Sequence, residues 1–399
     1  MLALEDYRIS PVSGCLLRQP TTPPPALIPY KKLLEHSHQL LQEGKIREAI
    51  EKLPQLDTSQ LSKHEEKRLA HKILAFLASQ YVWQDGDKNP AEVLPAVLAM
   101  PLMEVSIELG CQPILGHIDL VLSNCFPEKT QLLRRQAFYT EYLPSAQENW
   151  YPFIEITADI ELTFCDIAKI MMHVISGIKR KNVESVVDCL LKMAELMSIM
   201  SEQLALLLRE LDPKAFYCEM RPFLSGWSHG KISKGLVYEG VPDSVLTGGE
   251  SGSLSGGTIP KKRIYLGASA GQSVSLQSLD AFLGIKHFDD TEEFLENLRC
   301  YMITEHRRFI EDLGKHVQLR DFIEVVNSEE LKKAYNTCIK AMLHLRHEHV
   351  NIVTKFILEP SAAFTANVES LKSQGTGGSA LDQFLKRVNV RTEAAFYEV

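Results

Sequence analysis

Between residues 332 and 357 the apolar positions fall at Ala334, Cys338, Met342 and Leu345, and again at Ile352, Val353 and Phe356. Steps of three and four set these side chains on one buried stripe of a helix. His349 continues that stripe, whereas His344 and His347 fall on the wetter side. The same periodicity predicts helices over 29–53, 64–83, 95–108, 113–122, 156–178 and 183–211. It does so again over 273–283, 291–302, 305–314, 329–358 and 379–397. Alternating strand patterns are scarce. The pattern predicts an all-α protein with more than ten helices, larger than a simple bundle.

Proline and glycine punctuate this map. Residues 19–25 (QPTTPPP) read as an extended arm, and the run 147–152 marks a boundary. It predicts a small N-terminal helical domain over 1–146 and a large one over 147–399. Residues 247–258 (TGGESGSLSGGT) read as a low-complexity surface insertion, and 373–379 (SQGTGGS) as a second glycine-rich loop. Neither fits a phosphate loop, because GxxxxGK[ST] is missing and no strand precedes them.

Composition narrows the function classes. A formal net charge of -8 argues against nucleic acid as a partner. No apolar run reaches the roughly 20 residues of a membrane span. The first ten residues carry acids and no apolar core of a secretory signal, so a cytoplasmic protein is expected. Eight cysteines without a CxxC pair suit a reducing compartment and argue against a zinc site.

The candidate chemistry starts from His349. A histidine in an apolar stripe is either a core residue with both nitrogens hydrogen-bonded, or a metal or haem ligand. Motifs such as HExxH and GxSxG are missing, so oxidative chemistry would need a cofactor. Three further stretches are dense in unusual residues. Residues 214–227 (KAFYCEMRPFLSGW) set Phe216, Arg221 and Leu224 close together. An arginine there either pairs with an acid or grips a ligand carboxylate with its planar fork. Residues 266–273 (LGASAGQS) are small enough to let backbone approach something flat, or simply form a helix entry. Residues 113–122 (PILGHIDLVL) carry His117 and Asp119 on a mostly apolar helix.

Taken in order, these stretches resemble the indoleamine 2,3-dioxygenase family of haem enzymes. The resemblance runs through RLAH (68–71), YVWQDG (81–86), PILGHIDLVLSN (113–124), KAFYCEMRPFLSGW (214–227) and GLVYEG (235–240). It continues through SAGQS (269–273), LGIKH (283–287), LRHEHVNIVTKFI (345–357) and GTGG (375–378). It implies the family's fold, with a large helical haem-binding domain and haem b as cofactor, Fe(II) in the active state. His349 matches the proximal ligand of the haem iron, and Arg346 and Asp280 a pair near a haem propionate. Arg221 matches the residue that holds the substrate carboxylate, with Phe216 and Leu224 in the same pocket and Phe153 as the distal aromatic. Ser269 and Ala270 match small residues beside haem and the substrate ammonium, and Thr376 lies in a loop that closes over substrate.

The implied reaction is cleavage of the indole C2=C3 bond of L-tryptophan or a related indoleamine by O2. Its product is N-formylkynurenine, the first product of the kynurenine pathway, and a reductant is needed to reach Fe(II). A monomer is expected. The resemblance also admits an alternative, an O2-binding myoglobin-type protein on the same fold. Some pocket positions depart from the best-known vertebrate member: His117 replaces tyrosine, Leu120 cysteine, Ile154 phenylalanine and Thr157 serine. These are more like the second vertebrate paralogue and weakly active forms, which implies slow turnover of L-tryptophan.

Overall fold

The structure is a computed structural model that describes residues 2–20, 22–127, 138–146, 148–228, 230–245, 247, 261–363 and 381–399. Thr376 and the rest of the 373–379 loop therefore lie outside the described residues, as does most of the 247–262 insertion. Helices carry the fold, and among the described residues strands are confined to two small sheets. In one, Val93–Leu94 pairs parallel with Leu236–Tyr238, which pairs antiparallel with Lys262–Arg263. The other is a single antiparallel pair, Cys125–Pro127 with Phe138–Thr140.

Six helices position the site. Helix α1 (His64–Trp83) is buried on every face from Arg68 onward, so it forms the centre of the front part of the molecule. Helices α2 (Trp150–Arg180) and α3 (Val183–Ala205) form a tight hairpin. Lys181 turns the chain at φ 55° and the Asn182 side chain accepts from the Ser185 amide, which caps α3. Helix α4 (Val274–Leu283) follows the small-residue loop and ends at Gly284, where φ is 67°. Helix α5 (Glu329–Val353) starts on a Ser328 cap and packs along α3. Helix α6 (Leu381–Glu393) closes over the end of α5. The stripe predicted on α5 is the buried face, from Leu331 through Ala334, Cys338 and Met342 to Leu345, and His344 and His347 are exposed.

Several predicted helices differ in form. The span 29–53 is three short helices, Ile28–Glu35, Ser37–Gln42 and Ile46–Glu51. His36 leaves helical geometry and Gly44 takes φ +67°, so no continuous helix can form. Leu319–Val326 forms a helix that periodicity over so short a stretch did not single out. The stretch 113–122 is an ordered loop ending in one wide π-helical turn at Ile118–Leu122; Asp119 Oδ2 accepts the Gly116 amide there. Likewise the long final pattern is α-helical only to Val353, with a π turn at Thr354–Leu358 beyond it.

No helix among the described residues is long and apolar enough to cross a membrane.

Candidate functional site

Helices α2, α4, α5 and α6 surround a cavity of about 230 Å³, and a second of about 160 Å³ adjoins it. Phe153, Leu224, Ser269, Ala270 and His349 line both, so the two spaces are ends of one pocket. His117, Thr157, Asp280 and Arg346 line the larger end alone, and Phe216 and Arg221 the smaller. All the site residues predicted from the sequence converge here apart from Thr376, which lies outside the described residues. Of the substituted positions, His117, Leu120 and Thr157 face the larger cavity, while Ile154 is fully buried and lines neither.

His349 sits in the last turn of α5, deep in the protein but open to the pocket. Its ring makes no hydrogen bond among the described residues, which separates it from a satisfied core histidine. Burial, helped by the positive charge of Arg346, pushes its pKa down to about 4. The imidazole is therefore neutral at pH 7, the form in which it offers a lone pair.

One turn earlier, Arg346 donates to Asp280 of α4 at 2.5 Å and also contacts Thr392 of α6. Asp280 accepts from His287 Nε2 at 3.0 Å as well. Burial raises the Asp280 carboxyl, but Arg346 and His287 outweigh it and hold the group below the ordinary carboxylate value. A fixed cation thus stands beside the pocket next to His349.

At the other end, Arg221 is fully buried. Burial lowers its pKa, and its guanidinium lies over the Tyr217 ring at 5.1 Å. Tyr217 and the charge of Asp87 act in the opposite direction, favouring the cation. Phe216 stands between Phe153, at a centroid distance of 5.5 Å, and Phe356, at 5.7 Å. The Thr157 hydroxyl donates to the Phe153 carbonyl at 2.7 Å, so it is a poor donor toward the pocket.

The small-residue loop has a clear steric cause. A Cβ on Gly226 would lie 2.2 Å from the Tyr265 carbonyl oxygen, and one on Gly267 2.0 Å from that of Leu224. The two backbones cross in contact, tied by Trp227 N to Tyr265 O at 2.8 Å. Gly267 therefore serves a backbone crossing, while Ser269, Ala270 and Gly271 line the pocket. The Ser269 side chain accepts from Gly271 N, which opens the turn leading into α4.

Glu161 was missed by the sequence reading. It is 1% exposed, yet it lines the larger cavity. Its Oε1 accepts from His117 Nε2 at 2.9 Å and from Ser273 Oγ at 2.6 Å, and Oε2 accepts from Ser275 Oγ. Burial raises this carboxyl, and those donors together bring it below its ordinary value. The signal was present: Glu161 lies four residues after Thr157 on a helix face that buries Ile154, Ala158 and Phe164. It is the same anomaly as His349, a polar residue where a stripe should be apolar.

Three π turns border the pocket: Ile118–Leu122, Phe216–Met220 and Thr354–Leu358. Each sits beside lining residues, as such turns often do at functional sites. Just beyond the second, Pro222 removes a backbone donor one residue after Arg221, which disrupts the regular ladder.

The family model described as Indoleamine 2,3-dioxygenase matches residues 3–395. Human indoleamine 2,3-dioxygenase 2 is 34% identical, across 98% of this chain and 95% of its own length. A myoglobin of Haliotis diversicolor is 32% identical, with 98% of each chain covered. The indoleamine 2,3-dioxygenase of Saccharomyces cerevisiae is 29% identical, across 98% of this chain and 93% of its own.

Proposed function

The chain belongs to the indoleamine 2,3-dioxygenase family, and from that premise we propose that it cleaves the indole ring of L-tryptophan or a related indoleamine with O2. Both oxygen atoms enter the product, one on each carbon of the broken C2=C3 bond, giving N-formylkynurenine from tryptophan. The family is one of haem b proteins with iron. The residues here fit that group: a neutral imidazole with no hydrogen bond of its own, an apolar pocket in front of it, and a fixed arginine beside it. His349 would hold the iron and Arg346 a propionate, with Asp280 fixing Arg346 in place. When bound, haem supplies the oxygen activation that no side chain in the pocket can supply.

The remaining side chains bind and orient. Arg221 takes the substrate carboxylate in a buried setting, where a bidentate pair has both strength and direction. Phe153 and Phe216 present ring faces and edges to the indole, which fixes its plane. Leu224 completes the apolar wall, and Ser269 and Ala270 leave room for the ammonium group. Their common effect is a dry pocket that presents one bond of the ring in one orientation. The reaction needs this positioning more than it needs a general acid or base. Thr376 is assigned to substrate closure by likeness to the family alone. A cytoplasmic monomer kept ferrous by a cellular reductant completes the reading, and the substitutions at 117, 120 and 157 are read as slowing turnover of L-tryptophan.

The observation that carries this reading is that His349 and the buried Arg221 line one pocket together with Phe153. A second reading, O2 storage, is favoured by the likeness to the Haliotis myoglobin, but storage has no use for a buried arginine in the ligand pocket. Haem-loaded, reduced protein supplied with L-tryptophan in air separates the two. Accumulating N-formylkynurenine absorbance supports the dioxygenase. A stable oxygenated spectrum without product supports storage.

A further inference from the structure

We propose that a surface groove away from the pocket binds a small phosphorylated polyol. Lys286, Arg320 and Arg391 take the phosphate, and Asp321 and Glu324 take hydroxyl groups of the attached polyol. This site is independent of the dioxygenase reading.

The groove holds about 540 Å³ and lies between the end of α4, the helix Leu319–Val326 and the end of α6. It shares no lining residue with either end of the pocket. Three cations border it, and separate contacts bring them together. Arg391 donates from Nε to the Lys286 carbonyl oxygen at 2.5 Å, and its guanidinium lies 5.1 Å from the Phe288 ring centre. Arg320 donates from Nη1 to the carbonyl oxygen of Ala395, four residues after Arg391, at 3.0 Å. The same nitrogen donates to the Tyr335 hydroxyl oxygen at 2.7 Å, and the Tyr397 ring centre lies 4.6 Å from the guanidinium. A Cβ on Gly284 would lie 2.8 Å from Arg320 Cδ, so the Arg320 stem crosses the backbone two residues before Lys286.

The partners of these cations decide what the groove can hold. Carbonyls, a hydroxyl and aromatic rings fix both guanidinium groups without neutralising them. Among the described residues none of the three cations has a carboxylate at ion-pair distance. Both Nη groups of Arg391, and Nε and Nη2 of Arg320, have no hydrogen-bond acceptor there either. Two held forks beside an exposed lysine match the several oxygens of a phosphate, and its double charge answers more than one cation. The volume is that of a small-molecule site and exceeds what a bare phosphate fills. Asp321 and Glu324 are exposed and line the groove from the helix Leu319–Val326. Carboxylates there repel a second anionic group and accept hydrogens from hydroxyls. The charge pattern therefore favours one phosphate on a polyol over a polyphosphate or a dicarboxylate.

Calorimetry on the haem-loaded protein tests this with ribose 5-phosphate, ribose, inorganic phosphate, pyrophosphate and glutarate at matched ionic strength. One ribose 5-phosphate per chain should bind, roughly three- to tenfold tighter than any of the other four. Lys286→Met should weaken it by a similar factor of about three to ten. That side chain is exposed and makes no contact among the described residues, so folding is not at stake. Arg391→Met should weaken it further, while Asp321→Asn with Glu324→Gln should erase the advantage over inorganic phosphate. No binding of ribose 5-phosphate in the millimolar range would overturn the proposal. So would wild-type affinity in Lys286→Met and Arg391→Met, which would place the anion elsewhere. Pyrophosphate or glutarate binding as tightly as ribose 5-phosphate would overturn the assigned ligand class.

Discussion

Ala268 donates its amide hydrogen to the Leu224 carbonyl oxygen at 3.0 Å, so the two backbone segments that wall the pocket are bonded to each other. Gly267 makes that approach possible, since its missing Cβ would sit 2.0 Å from the same oxygen. The obstacle is backbone, which cannot swing aside like a side-chain tip. Gly267→Ala should therefore destabilise the protein by on the order of 2–4 kcal/mol. Denaturant unfolding measures it, and a wild-type midpoint would show that the crossing is looser than described.

Arg221 is the residue proposed to hold the substrate carboxylate. Arg221→Leu should leave haem binding intact and lower kcat/KM for L-tryptophan by roughly 2–5 kcal/mol of transition-state binding, the usual cost of losing one partner of a desolvated charge pair. Steady-state kinetics alongside the haem spectrum provide the check. Unchanged kinetics would place the carboxylate elsewhere.

His306 makes stability depend on pH. It is 1% exposed, and neither ring nitrogen makes a well-formed hydrogen bond, the Arg8 backbone giving only a marginal contact. Burial is the main cause that pushes its pKa down to about 4, against the opposing charges of Glu161 and Glu305. The unfolded chain, with a value of about 6.5, binds the proton first as pH falls. Stability from neutral His306 is thus complete above about pH 6.5 and is lost as pH falls toward 4. Between pH 7 and 4.5 the wild type should lose about 2 kcal/mol more than His306→Phe. Urea unfolding at both pH values, in one haem state, tests this; parallel profiles would exclude His306 as the cause.

Much of the site was legible in the sequence, for a definite reason. Periodicity exposes a polar residue on an apolar face, and His349 stood out on α5 for that reason alone. The ordered run of short motifs then tied Phe153, Phe216 and Arg221 to it, and the structure brings them to one pocket. Helix type over long amphipathic segments was equally readable. What escaped was local geometry. The π turns at 118, 216 and 354 arise from single displaced hydrogen bonds, which leave no periodic trace. Gly267 looked like room for a flat ligand, because a glycine needed for a backbone crossing reads the same in a sequence. Glu161 was overlooked although it breaks the α2 stripe as His349 breaks that of α5, since its three donors come from residues 117, 273 and 275.

The proposed function turns on His349 as the residue that holds the cofactor. Purified His349→Ala, titrated with haem beside the wild type and followed in the Soret region, tests that most directly. The wild type should bind one haem with a sharp, shifted band. The variant, with the rest of the pocket intact, should retain little or none, and added imidazole should restore the band. A normal Soret band and yield in His349→Ala without imidazole would contradict the assignment and the mechanism built on it.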